Sequence, residues 1–275
     1  LADYPTDLAD NFTMQNFLGH KRPLVIAHRG ASKHAPEHTL SAYQLAVVDQ
    51  ADGFECDLRL SKDLVPVCFH DGAMTRTSNG FGRLGNKTIT ELEELDFGSW
   101  FGPNPKSDEN WTRLLTAEKL FEFVSNLKSS IMLVETKHFS ESGSKLEAKA
   151  IEALNKYHLI NSDPNTPRAA LMSFSIPALI RARRLSKNLY TVLLIGQKIP
   201  GIKQISKLAQ VNAWGIGLEV IRNNPEVVEE ARSNGYQVFV WTVDEKADLD
   251  LCLRYKVDVI ISNDPGQIRS WIVGS

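Results

Sequence analysis

Leu24-Val25-Ile26-Ala27-His28-Arg29-Gly30-Ala31-Ser32 is the stretch that decides the fold. Leu24 to Ala27 is an apolar run of the kind that makes a strand buried on both faces, and the residues after it separate two architectures. A doubly wound open sheet places Gly-x-Gly-x-x-Gly after its first strand, so that the backbone can approach a phosphate. Here the strand runs out into His28 and Arg29, with Gly30 as the only glycine of the turn. Polar groups at the C-terminal end of a buried strand are what a barrel of parallel strands uses for chemistry.

Seven more strand patterns come after the first: 53–60, 131–135, 169–173, 190–194, 214–219, 237–241 and 257–261. Amphipathic segments lie between most of them, at 40–48, 145–157, 176–185, 225–234 and 246–255. Eight strand–helix units in 275 residues is the arithmetic of a (β/α)8 TIM barrel. One interval interrupts the alternation. From about 72 to 113 the chain carries Gly72, Gly80, Gly82, Gly85, Gly98, Gly102, Pro103 and Pro105, with a single short helical pattern at 90–95. A loop this long is usually functional, and Phe97, Trp100, Phe101 and Trp111 give it apolar surface to fold back on something. The expectation is one α/β domain over residues 1–275, a TIM barrel with a small cap inserted after the hairpin of the second strand. The first 20 or so residues, with Asp3, Asp7, Asp10 and Phe12, have no clear period and read as a lead-in.

Composition narrows the partners. Hydrophobic residues make up 43% of the chain, charged residues 23%, and the formal charge is −2, whereas a nucleic-acid or anionic-membrane binder normally shows a basic excess. No stretch approaches the ~20 apolar residues of a membrane span, so stable membrane insertion is not expected. Cys56, Cys68 and Cys252 form neither a disulfide framework nor a Cys-x-x-Cys zinc pair, which favours a reducing, cytoplasmic setting. The first residue is Leu rather than Met, leaving open a trimmed leader. The expected partner is a small molecule, with the oligomeric state undetermined.

Glu55 and Asp57 are two apart in a strand pattern and share a face. Carboxylates on a strand otherwise filled by Phe54, Leu58 and Leu60 are costly unless paired, solvated or metal-bound. Ser61-Lys62-Asp63-Leu64 then reads as a hairpin turn into Val65-Pro66-Val67-Cys68-Phe69-His70-Asp71. If the turn centres on Lys62 and Asp63, Glu55 faces His70, Asp57 faces Cys68, and Cys56 and Cys68 fall on opposite faces. A third carboxylate, Glu135, ends its strand, with Lys137 two residues beyond. Taken singly, each of these is more often a solvated or paired group. Together, three carboxylates at strand ends make a hard oxygen site suited to one Mg²⁺ or Ca²⁺. His28 and His70 either join such a site or act as acid and base, and an imidazole pKa near 6.5 favours the second. Arg29 and Lys137 would bring positive charge to a phosphate.

These residues resemble the glycerophosphodiester phosphodiesterase family. The matching blocks run in order from Ala27-His28-Arg29-Gly30-Ala31-Ser32 through Pro36-Glu37-His38-Thr39-Leu40, Phe54-Glu55-Cys56-Asp57-Leu58, Val65 to Asp71 and Val134-Glu135-Thr136-Lys137. They continue through Ser173-Phe174 and Val240-Trp241-Thr242-Val243 to Ile261-Ser262-Asn263-Asp264-Pro265. Arg76 to Gly80 and Leu95 to Phe101 look like the family's insertion. The resemblance implies a (β/α)8 barrel that hydrolyses glycerophosphodiesters to glycerol 3-phosphate and an alcohol. Carried over, Glu55, Asp57 and Glu135 match the metal ligands, His28 and His70 the acid and base, Arg29 and Lys137 the phosphate contacts, and Trp241 an aromatic of the pocket wall. The family's Pro-Glu-Asn-Thr is Pro-Glu-His-Thr here, which puts the hydrogen bonds of that Asn in question at His38, and Leu115 stands where a Pro often precedes Thr116.

Other residues read more plainly. Trp214 is expected in the core, Glu219 at a strand end with a weak claim to the site, and His20, His138 and His158 on the surface or in loops. Two other functions share the pattern. One is a phospholipase acting on lipid phosphodiesters, which needs an apolar lip of the kind that Phe81, Trp100, Phe101 and Trp111 would build. The other is a barrel that binds a phosphodiester without cleaving it, against which the intact set of acid, base and metal ligands argues.

Overall fold

In the computed structural model, which describes residues 22–104, 108–127, 130–138, 143–160 and 168–274, the chain enters through β1 (Leu24–His28) and β2 (Gly53–Leu60). The short β3 (Pro66–Cys68) turns back antiparallel along β2. Next come β4 (Ile131–Thr136), β5 (Ala169–Ser173), β6 (Tyr190–Ile195), β7 (Ala213–Gly217), β8 (Gln237–Trp241) and β9 (Val259–Ser262). Leaving β3 aside, each strand is parallel to its neighbours, and β1 pairs with both β2 and β9, so the sheet is a closed eight-stranded barrel. Closure rejects the open doubly wound sheet. The helices are α1 (Leu40–Val48), α2 (Ile89–Glu93), α3 (Ala117–Ser125), α4 (Lys145–Lys156), α5 (Ile176–Leu185), α6 (Ile202–Ala209), α7 (Leu218–Asn223), α8 (Glu226–Ser233), α9 (Lys246–Arg254) and α10 (Pro265–Val273). No helix among the described residues is long and apolar enough to cross a membrane. The lead-in at 1–20, with His20, lies outside the described residues, as does Pro105.

Strand periodicity divides the apolar residues into two layers. Leu24, Ile26, Ile131, Leu133, Ala170, Met172, Val192, Leu194, Phe239, Val259 and Ile261 cluster inside the barrel. Val25, Ala27, Phe54, Cys56, Leu58, Met132 and Val134 pack outward against the helices, together with Trp214. The next inward positions along the same strands are His28, Glu55, Asp57, Glu135 and Trp241. An apolar plug thus fills the barrel floor, and the period-two rule hands the polar residues to its C-terminal mouth.

The hairpin differs from the sequence expectation by one residue. Leu58 pairs with Cys68, Arg59 with Val67 and Leu60 with Pro66. Ser61 closes a wider turn onto Val65, with Leu64 at φ 65, because the Ser61 hydroxyl bonds both Asp63 and Val65 N. A one-residue shift exchanges faces. Cys56 and Cys68 therefore share the outward face, where both remain free thiols, and Asp57 lies opposite Phe69, whose N–H donates to the Asp57 carbonyl at 2.9 Å. His70 is not a cross-strand partner of Glu55; it arrives from the loop after β3. The strand expected at 214–219 also stops early, at Gly217, so Glu219 sits exposed on α7, paired with Arg222.

The interval at 72–113 has its own small core. Met74, Leu84, Leu92 and Phe97 bury against Val67, Phe69 and Leu114, while Trp111 packs on Ala35 and Ala42. Its short helix α2 starts at Ile89 because Thr88 and Glu91 form a capping box. Phe81 remains fully outside this core and Trp100 partly so.

After β1 the chain must turn sharply to bring Arg29 back over the barrel mouth. Arg29 and Gly30 both have positive φ, at 58° and 84°, and a Cβ on Gly30 would lie 2.6 Å from the Ala42 Cβ. Gly30→Ala is expected to cost about 2–4 kcal/mol, combining backbone strain with a clash. An unchanged urea unfolding midpoint would contradict this reading of the turn.

Candidate active site

The parallel register sets His28 beside Glu55 and Asp57 beside Glu135. All three carboxylate residues are almost fully buried, as is Lys137. Asp57 is the hub. Its Oδ2 meets Arg29 Nε at 3.0 Å and His38 Nε2 at 3.0 Å, while Oδ1 lies 2.9 Å from Lys137 Nζ. Lys137 also reaches Glu135 Oε1 at 2.7 Å. Glu55 Oε2 accepts from the Arg29 backbone N–H at 3.2 Å and stands 3.9 Å from His28 Nε2.

The charge balance makes these acids unequal. Burial pushes Glu55 well above the usual carboxylate range, and the charge of Asp57 adds to it. Burial and Asp57 likewise push Glu135 up to about 8. Asp57 is also opposed by burial, yet Lys137 and Arg29 hold it well below its ordinary value. The cluster is thus short of positive charge. One oxygen from each carboxylate lies within 4.8 Å of the other two, a span suited to oxygen ligands around a hard divalent cation. Asp57 Oδ1 is buried, and Lys137 Nζ is the cation beside it at 2.9 Å. An all-oxygen donor set with a deficit of positive charge fits such an ion.

The two histidines approach from different elements. His28 ends β1, and burial followed by the charge of Arg29 lowers its pKa to about 3. His70 is held by Arg59 Nε on its carbonyl at 2.9 Å and by Asp71 Oδ1 at 2.6 Å from Nδ1. Burial lowers it as well. Beyond Asp71, Arg76 of the inserted segment donates to Asp71 Oδ2 at 2.6 Å and forks onto both oxygens of Glu37 at 2.8 Å. Glu37 in turn accepts from Arg29 Nη1 at 2.9 Å. Burial opposes ionisation of Glu37 and Asp71, but Arg76 holds each at about 2.

The departure from the family pattern at His38 has a structural basis. It sits at φ 62, a left-handed conformation in which Asn, Asp and His are enriched, so the backbone accepts either residue. Its ring spans from Asp57 to the Tyr43 hydroxyl at 3.1 Å, and that hydroxyl also lies 3.1 Å from the Glu55 carbonyl. The exchange therefore keeps a polar neighbour on Asp57.

These groups open onto a cavity of about 170 Å³. His28, Arg29, Glu55, His70, Glu135 and Lys137 form its polar half; Met172, Phe174, Leu194, Trp241, Thr242 and Ile261 form the other. Trp241 is fixed by its indole N–H on the Gly215 carbonyl at 2.9 Å and by an edge contact with Phe174 at 5.6 Å. Every site residue expected from sequence thus lines this cavity, apart from Asp57, which lies buried behind it. Glu219 does not contribute. His138, expected in a surface loop, is largely buried, with Nε2 2.6 Å from the buried Glu147. Glu37, Asp71, Arg76 and Asn263 were given no role from sequence. Asn263 had a usable signal, since it follows a barrel strand as Arg29 follows β1.

Comparison with known proteins gives the same picture. Residues 28–267 match the model of the glycerophosphoryl diester phosphodiesterase family. A probable glycerophosphodiester phosphodiesterase 1 of Mycobacterium tuberculosis is 38% identical over 259 residues, covering 92% of this chain and 93% of that protein. A Bacillus subtilis glycerophosphodiester phosphodiesterase is 30% identical over 256 residues, 91% of this chain and 86% of its own. Among solved structures, an Oleispira antarctica phosphodiesterase in complex with the product sn-glycerol-3-phosphate superposes with a TM-score of 0.81 at 26% identity, covering 92% of this chain and 97% of that one.

Proposed function

Because this chain belongs to the glycerophosphoryl diester phosphodiesterase family and is a phosphoric diester hydrolase, we propose that it cleaves glycerophosphodiesters to glycerol 3-phosphate and an alcohol, with His28 and His70 as the acid–base pair and one Mg²⁺ or Ca²⁺ held by Glu55, Asp57 and Glu135. The observation that carries this reading is the convergence of both histidines, Arg29, Lys137, Glu55 and Glu135 on one small cavity with an apolar opposite wall. Its volume of about 170 Å³ is room for roughly half a dozen waters. That suits a phosphate with a three-carbon unit, the part that every glycerophosphodiester shares.

An ion held by Glu55, Asp57 and Glu135 would supply Lewis-acid chemistry, offsetting negative charge and making a hydroxyl easier to deprotonate. Arg29 and Lys137 offset charge that gathers on the phosphoryl oxygens. One histidine accepts the proton of the glycerol 2-hydroxyl as that oxygen bonds phosphorus; the other gives a proton to the alcohol oxygen as its bond to phosphorus breaks. The result is a cyclic glycerol phosphate. Water then adds to phosphorus, losing its proton to the second histidine, while the first returns its proton to the ring oxygen that leaves. Trp241 and Phe174 pack the carbon face of the glycerol unit.

Metal-stripped protein, incubated with glycerophosphocholine, glycerophosphoethanolamine and glycerophosphoglycerol, should release glycerol 3-phosphate only after Mg²⁺ or Ca²⁺ is restored. Equal release with and without metal would remove the ion from the mechanism. No release from any diester under any ion would overturn the substrate class.

A further inference from the structure

On the Nδ1 side of His28 lies a polar chain that the proposed reaction leaves unexplained. His28 Nδ1 is 2.7 Å from Asn263 Oδ1, and Asn263 Nδ2 is 2.6 Å from Asp244 Oδ2. Asp244 is itself fixed, because its Oδ1 accepts from Asn263 N at 2.8 Å and from the Ser262 hydroxyl at 3.0 Å. Ser32 Oγ lies 2.8 Å from both Asn263 Oδ1 and the His28 carbonyl.

The orientation of an amide and the tautomer of an imidazole are linked here by what each partner can offer. An ionised carboxylate has acceptors only. The end of Asn263 that faces Asp244 must therefore be the NH₂, and its Oδ1 must face His28. A carbonyl oxygen cannot donate, so the hydrogen between them belongs to His28 Nδ1. In the neutral ring that leaves a lone pair on Nε2, the nitrogen nearer Glu55. His70 differs: its Nδ1 faces the carboxylate of Asp71 rather than an amide, and that carboxylate works against the burial that lowers His70, favouring its imidazolium far more than the amide oxygen favours that of His28.

We infer that Asn263 and Asp244 are positioning residues that hold His28 as the Nδ1–H tautomer, so that His28 Nε2 accepts the proton of the attacking hydroxyl and His70 supplies the proton to the departing alcohol. This deepens the function proposed above and rests on it for the reaction, though not for the tautomer. In the second half His70 takes a proton from water and His28 gives its own back to the leaving ring oxygen, so both rings return to their starting states.

Asp244→Asn is the decisive variant. It keeps an oxygen for Ser262 and Asn263 N but sets an NH₂ against the Asn263 NH₂. The clash of donors is relieved when Asn263 turns its amide, which presents NH₂ to His28 and moves the ring hydrogen to Nε2. The double variant Asp244→Asn/Asn263→Asp restores an acceptor to His28 and a donor–acceptor pair behind it.

Long-range ¹H–¹⁵N spectra, with the His28 signals identified by their absence in His28→Ala, read the tautomer directly, with or without turnover. The expected results are Nδ1–H in the wild type, Nε2–H in Asp244→Asn with kcat lower by about a hundredfold or more, and return of Nδ1–H in the double variant, with kcat recovering only in part because a carboxylate now faces the ring. A merely structural chain would not move the ring hydrogen. An Nε2–H signal in the wild type overturns the inference, as does an Asp244→Asn protein with Nδ1–H and kcat within about threefold of wild type. If the wild type turns over no glycerophosphodiester yet shows Nδ1–H, the substrate reading falls and the positioning of His28 stands. If Asp244→Asn does not fold, the wild-type tautomer and the double variant still decide.

Discussion

His28→Ala and His70→Ala are each expected to lower kcat by about 10²–10⁴-fold, the range a well-placed proton acceptor or donor supplies. The losses should not multiply when both are removed, because the two rings act on one transition state in concert. Folding should survive. Both side chains line an existing cavity rather than filling the barrel plug, so truncation widens a space that is already there instead of opening one in packed core. Steady-state kcat beside a urea unfolding midpoint separates the two effects. Near-wild-type turnover in either variant would remove that histidine from the proton path.

Asp57→Asn and Glu55→Gln should part company in stability while agreeing in function. In metal-stripped protein, Asp57 is the charged member of the cluster, facing Arg29 and Lys137. Neutralising it removes the anion shared by two buried cations, each of which keeps one other carboxylate, Glu37 for Arg29 and Glu135 for Lys137. The cost should therefore approach but not exceed about 3–5 kcal/mol, that of a buried pair that loses one partner. Glu55 is the reverse case. Burial and Asp57 already drive it toward the neutral acid, so the neutral amide resembles the form present without metal, and the unfolding midpoint should move little. Both variants lose a candidate ligand, and both should need more metal for the same rate, with partial recovery at high metal. Equal destabilisation by the two, measured without metal, would contradict the assignment of the charge to Asp57. Unchanged metal requirement in either would remove that residue from the ligand set.

Much of the site was legible in the chain because strand residues obey a period of two. Once Leu24 to Ala27, Ile131 to Val134 and the segment around Phe54 read as buried strands, parity put Glu55 and Asp57 on one face and placed His28 and Glu135 at strand ends, and the structure shows that this face is the barrel interior. The hairpin shows where that reasoning stops. Its centre depends on which loop atoms the Ser61 hydroxyl engages, and one residue of difference moved Cys68 outward and left His70 to arrive by a loop.

The sequence by itself determined the closed barrel, the inserted segment and the identity of the groups at the mouth, because these follow from local periodicity and from residue types that are costly to bury unpaired. Only the tertiary structure decided which of them touch. Arg76 couples Glu37 to Asp71 across 39 and 5 residues of chain. Asn263 reaches His28 across 235. Hydrogen-bond partners this distant are chosen by barrel closure, which brings the last strand beside the first, and no local pattern in the chain encodes the result.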